Sequence, residues 1–257
     1  MPLVDVRGLH FRYPSGGGRH NPWTLEGLDL SIEHGSSVGI VGESGSGKST
    51  LVRILCGILI HQRGDVEFDG RPLEDWLASR PRELRRRNQI VFQSPRRSLD
   101  PRMSIRKSLS QPVRAIERRI PSDDEMTGWL ERVGLTDEVL PRFPHQLSGG
   151  QLQRVGVARA LSVGPEVLYA DEPTSALDVS VQAQVLNLFM DIRNQLGLTL
   201  VMVSHDLAVI SRICEQVIVM RDGQIVEAGR MTHVLSQPSD PYTAALVRSA
   251  RLVSLEA

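Results

Sequence analysis

Gly42-Glu43-Ser44-Gly45-Ser46-Gly47-Lys48-Ser49 is the stretch that decides the fold of this chain. It fits the pattern Gly-x-x-x-x-Gly-Lys-Ser/Thr at every position. The apolar run Val38–Val41 predicts a strand before it, and the segment from Thr50 to Leu55 predicts the start of a helix. In that context several backbone N–H groups face one point at the positive end of a helix. The sequence therefore predicts a site for nucleotide phosphates, in preference to a glycine-rich turn without a ligand.

Two side chains of this loop have specific predicted roles. Lys48 supplies a positive charge for the β- and γ-phosphates, and Ser49 supplies a hydroxyl group for Mg²⁺. The motif indicates nucleotide binding, but it does not indicate what the nucleotide is used for.

Composition limits the classes of protein that the chain can represent. Its 257 residues suffice for one large domain or two small ones, and 40% hydrophobic and 23% charged residues are typical of a globular protein in water. Its apolar runs are shorter than the roughly 18–20 residues of a transmembrane helix. The segment Met1–Asp5 does not have the pattern of a secretion signal, so we do not expect export. The formal net charge of zero argues against a generally basic surface for nucleic acid.

Two local features have simple interpretations. The basic runs Arg80–Arg87 and Pro95–Arg97 are expected to form solvated faces, with contact to an acidic partner segment as the second possibility. Cys56 and Cys214 are far apart and have no metal-like spacing. We expect them to be small buried hydrophobic residues on helices.

The pattern of apolar residues changes along the chain. The first third is rich in strands around one helix, whereas residues 98–160 have helical periodicity, divided into short helices by prolines at 95, 101, 112, 121, 141 and 144. Glu166–Ala170 and Thr199–Val203 then predict strands on either side of a helix, Val181–Leu196. Such alternation implies a parallel sheet. The predicted fold class is α/β, with a helical subdomain inserted into the core.

Five further elements accompany the phosphate loop. They are Gln93, Leu147–Gln151 (Leu-Ser-Gly-Gly-Gln), Val167–Pro173 (Val-Leu-Tyr-Ala-Asp-Glu-Pro), Ser175–Asp178 (Ser-Ala-Leu-Asp) and His205. With these elements the chain resembles the ATP-binding subunits of ABC transporters, from about residue 3 to about residue 245. The resemblance implies a RecA-like P-loop NTPase core with a parallel sheet, an antiparallel β subdomain and an inserted helical subdomain.

The resemblance also implies a role for each element. Asp171 would reach the Mg²⁺ shell through water, and Glu172 would polarise the attacking water. Both acids would share a sheet edge with the phosphate loop, because both follow parallel strands. Gln93 would sense Mg²⁺ and the γ-phosphate, and His205 would contact the γ-phosphate. Taken alone, two acids or one histidine at a strand end are usually only solvated residues.

The remaining elements would complete the nucleotide site. Ser148 and its glycines form the signature sequence, although a Ser-Gly-Gly turn alone would be a plain helix cap. Asp178 belongs to the loop that crosses to a partner subunit, and Tyr13 fits the aromatic residue that stacks on adenine, although a tyrosine on an edge strand is common.

The predicted sites can be stated in full. The catalytic residues are Glu172, His205, Gln93 and Lys48. The metal ligands are Ser49, Gln93 and Asp171. The nucleotide contacts are Tyr13, Gly42, Ser44, Gly45, Ser46, Gly47, Lys48, Ser49, Thr50, Ser148, Gly149, Gly150, Gln151 and Asp178.

The signature sequence lies beyond the helical insert, so it is expected to meet ATP held by a second subunit. Because the chain has one phosphate loop and one signature sequence, two chains would form two composite sites. ATP would close the dimer and hydrolysis would open it, which can drive a membrane partner between two states.

Two segments resemble the oligopeptide, dipeptide and nickel importer ATPases. They are Gln93–Ile105, which is longer than a generic segment of this kind, and the tail Gln237–Thr243. Members of that group often carry a cysteine cluster for an iron–sulfur centre after the tail. No cysteine follows Cys214, so we predict no such cluster. Leu152 replaces a basic or polar residue of many relatives, a departure that leaves the chemistry intact.

The resulting prediction is an ATPase that powers import of a peptide, nickel or a metal chelate. Its cofactors would be ATP and Mg²⁺. Its partners would be a second ATPase subunit, two permease subunits and, indirectly, an extracytoplasmic binding protein, with no nucleic acid. It would lie at the cytoplasmic face of the membrane. The alternatives are an ABC exporter ATPase, a soluble ABC ATPase acting on nucleic acid or ribosomes, and a non-hydrolysing binding module.

The predicted domain boundaries follow from the same pattern. Residues 1–93 and 162–232 form the discontinuous ATP-binding core, residues 94–161 form the helical signature subdomain, and residues 233–257 form a C-terminal tail.

Overall fold

A computed structural model of the chain describes residues 1–14, 22–174 and 178–255. Within these residues the strands are β1 (Val4–Phe11), β2 (Leu25–Ile32), β3 (Ser37–Val41), β4 (Arg63–Phe68), β5 (Arg71–Pro72), β6 (Asn88–Val91), β7 (Val167–Asp171), β8 (Thr199–Ser204), β9 (Gln216–Arg221) and β10 (Gln224–Arg230).

The α-helices of the same residues follow in chain order. They are α1 (Lys48–Leu55), α2 (Leu73–Ser79), α3 (Pro81–Arg87), α4 (Pro95–Ser98), α5 (Ile105–Ile116), α6 (Asp123–Arg132), α7 (Gly149–Leu161), α8 (Val179–Leu196), α9 (Leu207–Ser211), α10 (Met231–Ser236) and α11 (Pro241–Leu255). By packing, the chain divides into two compact units, Met1–Arg80 with Thr199–Ala257 and Pro81–Leu198. The domain boundaries predicted from the sequence stay a prediction.

The first unit contains an antiparallel sheet and a group of mostly parallel strands. The antiparallel sheet has the order β2-β1-β4-β5, with Val4 opposite both Ile32 and Phe68. The second group has the order β10-β9-β3-β8, and β3 pairs in parallel with both β8 and β9. Every residue of β3 and β8 is buried, as expected for parallel strands covered on both faces.

The second unit contains a parallel strand pair and most of the helices. β6 and β7 pair with Asn88 opposite Val167 and Val91 opposite Ala170. Helix α7 packs on α4, α5, α6 and β6, so it forms the centre of this unit. The apolar residues that recur at helical intervals in α5 and α6 are the ones that are buried. They are Ile105, Leu109, Val113, Met126, Trp129 and Leu130.

One proline does not divide the helices as predicted. Pro112 lies inside α5, which runs unbroken from Ile105 to Ile116. A proline inside a helix removes one backbone hydrogen bond and normally ends or kinks it. Here the buried side chains of Leu109 and Val113, on either side of the proline, keep the helix packed against its unit.

The interpretation of the basic run as a solvated face is wrong for Arg87. Its side chain is buried at the end of α3 and makes a bidentate ion pair with Glu166, with Nε–Oε1 and Nη2–Oε2 distances of 2.8 and 2.6 Å. A planar guanidinium group matches a carboxylate in this geometry. The cysteines are both buried, but Cys56 and Cys214 each lie just beyond the end of a helix and not on it.

Candidate functional site

The phosphate loop lies between β3 and α1, as its sequence predicts. Its backbone turns at glycines: φ is +154° at Gly42 and +97° at Gly47. A Cβ atom at Gly42 would lie 2.1 Å from the carbonyl oxygen of Met220, and one at Gly47 would lie 2.5 Å from a methyl group of Leu25. Both positions therefore require glycine, for conformation and for space.

Lys48 folds back over this loop. Its side chain is almost fully buried, and its Nζ atom donates to the carbonyl oxygens of Gly42 and Glu43 at 2.8 and 2.6 Å and to Ser46 Oγ at 3.3 Å. The N-cap residue of α1 is Gly47, so no side chain at this position caps the N–H groups of the first turn. A cation and the N-terminal amides of a helix thus face the same concave loop, which is the arrangement that binds phosphate groups.

Two residues from the C-terminal part of the chain support the loop, and the sequence did not point to either contact. Gly223 N–H donates to the Ser46 carbonyl oxygen at 3.3 Å, and the Glu43 N–H donates to Tyr242 Oη at 2.9 Å. In the sequence, the tail that contains Tyr242 indicated only a resemblance to one group of importer ATPases. A contact across 199 positions leaves no local signal in the sequence.

His205 and Tyr13 lie in the same unit as the loop. Because Val41 pairs with Ser204, Gly42 and His205 follow adjacent parallel strands at one sheet edge, and His205 is exposed there. The Tyr13 hydroxyl lies 3.2 Å from Thr50 Oγ1 on α1, and Tyr13 is 40% exposed. An aromatic face is therefore present beside the helix that follows the phosphate loop.

The second unit brings the predicted acids and Gln93 together. Asp171 is buried at the end of β7, and Glu172 follows it with φ of +45°. Gln93 Nε2 donates to Glu172 Oε2 at 2.8 Å. Since β6 and β7 are paired and parallel, their ends place Gln93 and the two acids at one edge.

The signature sequence forms the start of α7. Ser148 Oγ accepts from the Gln151 N–H at 3.3 Å, and Gln151 Oε1 accepts from the Ser148 N–H at 3.0 Å, which is a capping box. A Cβ atom at Gly150 would lie 2.8 Å from a methyl group of Val181, so glycine lets this turn approach α8. The cap explains Ser148 structurally, and its contact with a nucleotide stays a prediction.

Asp178 caps α8 by accepting from the Val181 N–H at 2.9 Å. The other residues of the predicted crossing loop, 175–177, lie outside the described residues. The predicted site residues therefore form two groups, one in each unit. The meeting of the two groups around one nucleotide stays a prediction.

Comparison with known proteins identifies the family. The model of the family described as "ABC transporter" matches residues 25–175, and the chain belongs to this family. It has the α/β fold of the P-loop type, as predicted. The structure of the ATP-binding cassette MJ0796, described as a dimeric post-hydrolysis state bound to ADP and Pi, has a TM-score of 0.79 and 29% identity, covering 89% of this chain and 99% of that chain.

Two curated relatives have names that refer to import. The "Glutathione import ATP-binding protein GsiA" of Pectobacterium atrosepticum is 41% identical over 96% of this chain, which spans only 41% of that protein. The "Putative peptide import ATP-binding protein" of Brucella ovis is 41% identical over 96% of this chain and 78% of that protein. In the part of the chain that the structure describes, no helix combines the length and the apolar character required to span a bilayer.

Proposed function

We propose that this chain is the ATP-hydrolysing subunit of an ABC importer. The observation that carries the proposal is the phosphate loop, in which the buried Lys48 ammonium is held by the Gly42 and Glu43 carbonyl oxygens at the N-terminus of α1. A lysine ammonium group beside the N-terminus of a helix is an arrangement that binds phosphate oxygens. Nucleoside triphosphate is the ligand that fits this loop.

The residues of the chain have separable roles in hydrolysis. ATP, when bound with Mg²⁺, would supply the phosphoryl group to be cleaved and a metal that neutralises its charge. Lys48 would bind the phosphates, and Tyr13 would pack against the base. Glu172 would accept the proton of the attacking water, with its carboxylate oriented by Gln93. His205 would contact the terminal phosphate.

The predicted donors would suit a Mg²⁺ ion that arrives with the nucleotide. Mg²⁺ is usually bound by one or two carboxylates together with substrate phosphates and water. If the two groups meet at one nucleotide as predicted, Ser49, Gln93 and Asp171 would offer one hydroxyl group, one amide and one carboxylate for this purpose. Among the described residues, no group of three or more His, Cys, Asp or Glu side chains could hold a metal ion without such help.

Import of a peptide is the transport function that we favour. Relatives named for glutathione and peptide import match nearly the whole chain, and Gln93–Ile105 and Gln237–Thr243 resemble the same group. These names favour a peptide over nickel or a metal chelate, and import over export. The chain would work as a nucleotide-closed dimer on two permease subunits at the cytoplasmic face of the membrane, supplied by an extracytoplasmic binding protein. The dimeric ATP-binding cassette of similar fold supports the proposal of a second ATPase subunit as a partner.

ATP binding by the purified chain, measured by calorimetry, tests the proposal. Lys48→Ala should weaken binding strongly, because a charge in contact with the phosphates is removed. The other lysine of the chain, Lys107, is exposed on α5, so Lys107→Ala is a matched control that should bind ATP as the wild type does. Unchanged affinity in Lys48→Ala would reject the nucleotide site.

A further inference from the structure

The C-terminal helix α11 reaches the phosphate loop through one side chain. Tyr242, in the first turn of α11, accepts a hydrogen bond at its Oη atom from the Glu43 N–H, at 2.9 Å. The ring of Tyr242 is half-buried, and the Arg221 guanidinium group lies over it at 5.1 Å from the centroid. The hydroxyl group thus contacts the loop, and Arg221 lies over the face of the ring.

The Glu43 N–H belongs to the same peptide group as the Gly42 carbonyl. That carbonyl oxygen accepts from Lys48 Nζ at 2.8 Å. Because a peptide group is planar, its N–H and its C=O turn together. Tyr242 on one side and Lys48 on the other therefore fix the plane of a single peptide. The adjacent carbonyl, that of Glu43, also accepts from Lys48 Nζ at 2.6 Å.

Without the hydrogen bonds with Tyr242 and Lys48, the Gly42–Glu43 peptide could rotate easily, because it follows a glycine. Glycine has access to more backbone conformations than any other residue, so the peptide that follows Gly42 has little intrinsic preference. A hydrogen bond from outside the loop is therefore an effective way to hold it.

The start of α11 is itself anchored. Asp240 Oδ1 accepts from the Tyr242 N–H at 2.8 Å, and the carboxylate of Glu227 on β10 accepts from the N–H groups of Ser239 and Asp240 at 2.9 and 3.1 Å. Burial raises the pKa of the Glu227 carboxyl group, but hydrogen bonds, of which those from the Ser239 and Asp240 N–H groups contribute most, lower it below its ordinary value. A chain of hydrogen bonds thus runs from β10 through the tail to the phosphate loop.

We propose that Tyr242 is a positioning residue of the phosphate loop, which fixes the Gly42–Glu43 peptide and thereby holds Lys48 in place for nucleotide phosphates. This inference rests on the proposed function for its effect on ATP. The Pro-Tyr-Thr tail then has a physical role, because it keeps the loop in its binding geometry before the nucleotide arrives. A loop held in this way loses less conformational freedom on binding.

Tyr242→Phe tests the proposal, because it removes the hydroxyl acceptor and keeps the ring. In calorimetry the Kd for ATP should rise about threefold to tenfold, the range expected for one hydrogen bond. In a hydrolysis assay the increase should appear in KM, with kcat nearly retained, since Tyr242 does not touch the reacting atoms.

Ser249→Ala is the matched control, because it also removes one hydroxyl group from α11. Ser249 Oγ donates to the Ala245 carbonyl oxygen within the helix and has no contact with the loop among its described hydrogen bonds. This variant should have the ATP affinity of the wild type. Thermal melting of both variants separates an effect on the loop from a loss of folding.

Hydrogen–deuterium exchange without nucleotide provides an independent measurement. Peptides covering residues 42–49 should exchange about threefold to tenfold faster in Tyr242→Phe than in the wild type or Ser249→Ala, because the Glu43 N–H loses its acceptor. Wild-type exchange and wild-type Kd in Tyr242→Phe would overturn the role of Tyr242 and leave the proposed function standing. A wild-type chain that bound no ATP would overturn the proposed function, and the exchange rates would still decide whether Tyr242 holds the loop.

Discussion

Glu172 has a backbone conformation that residues with side chains rarely adopt. Its φ of +45° costs free energy, about 1–3 kcal/mol for a non-glycine residue in a sparsely populated region. Such a conformation persists when its surroundings hold it in place. Here Gln93 donates to the Glu172 carboxylate at 2.8 Å, and the buried Asp171 precedes it. The hydrogen bond with Gln93 thus fixes the carboxylate of a residue whose backbone is strained.

Glu172→Gln should nearly abolish ATP hydrolysis while ATP binding is retained. The amide cannot accept the proton of the attacking water, and general base catalysis is worth about 10²–10⁴-fold in rate. Phosphate release measures the first effect and calorimetry the second. Glu131→Gln, an exposed change on α6, is the control and should hydrolyse ATP at the wild-type rate. Hydrolysis by Glu172→Gln at the wild-type rate would remove Glu172 from the mechanism.

The sequence predicts some residues of the site and misses others for a physical reason. Lys48 and Gly42 belong to a contiguous motif, so their geometry follows from local backbone preferences. The support from Tyr242 depends on tertiary packing between segments that are remote in the chain. The positive φ of Glu172 also has no local signal, since Glu has no intrinsic preference for that region.

Among elements, the strands are predicted better than the limits of the helices. The buried strands β3 and β8 are short apolar runs bounded by turn residues, and such runs are easily recognised. Helix α5 continues through Pro112 because the packing of its apolar face offsets the lost hydrogen bond. The burial of Arg87 depends on Glu166, a partner 79 positions away, so the charged run alone could not indicate it.

Two helices of the second unit begin with the same capping box, which allows a matched test of the signature sequence. Ser148 caps α7 with Gln151, and Ser122 caps α6 with Glu125. Ser148→Arg and Ser122→Arg should each lose about 1 kcal/mol of stability, the usual value of an N-cap. Only Ser148→Arg should also block ATP hydrolysis, because the signature sequence is predicted to act across the dimer interface.

Chemical denaturation and hydrolysis assays measure the two effects of this pair. ATP binding by the isolated chain should survive in both variants. If Ser148→Arg instead lost ATP binding by the monomer, Ser148 would belong to the site of its own chain, and the two-chain arrangement would be wrong.

The anchoring of α11 should depend on pH through Glu227. Burial raises its pKa, but hydrogen bonds, chiefly those from the N–H groups of Ser239 and Asp240, outweigh burial and lower the pKa in the folded chain. A lowered pKa contributes stability that is fully present above the unfolded value of about 4.5 and is lost as the pH falls through the folded value. Glu227→Gln should therefore lower the Tm at pH 7 by about 2–4 °C. The difference in Tm between the wild type and Glu227→Gln should become smaller as the pH falls below about 4.5. Equal Tm values at pH 7 would show that this anchor does not contribute to stability.

At the scale of the whole molecule, the chain folds into two compact units, and the first of them is formed by two separate segments. The first unit holds the phosphate loop, and the second holds the acids and the signature sequence. The motifs predicted the family and the α/β class because each one needs a defined element on either side. They could not fix the limits of the packed units, which depend on contacts among many residues and not on any motif.

The helical insert, about residues 94–146, should carry the contact with the permease. It lies in the chain between Gln93, the predicted sensor of the γ-phosphate, and the signature sequence, so it can respond to the state of the nucleotide. Its surface offers exposed charges at Arg96 and Arg102 and exposed apolar side chains at Ile120 and Phe143. A short amphipathic helix of the partner could bind such a surface by its apolar face.

Charge reversal at Arg96, Arg97 and Arg102 should uncouple transport by the assembled complex while the ATPase activity of the chain alone is retained. A charge of the wrong sign at a docking surface weakens association and leaves a remote active site intact. Arg230→Glu, an exposed reversal outside the insert, is the matched control and should transport normally. Substrate uptake into vesicles and ATP hydrolysis are measured on the same preparations. If Arg230→Glu uncoupled transport and the reversals in the insert did not, or if crosslinks from the permease mapped to residues 216–245, the permease would bind the first unit. The insert would then have to transmit the nucleotide state by another route.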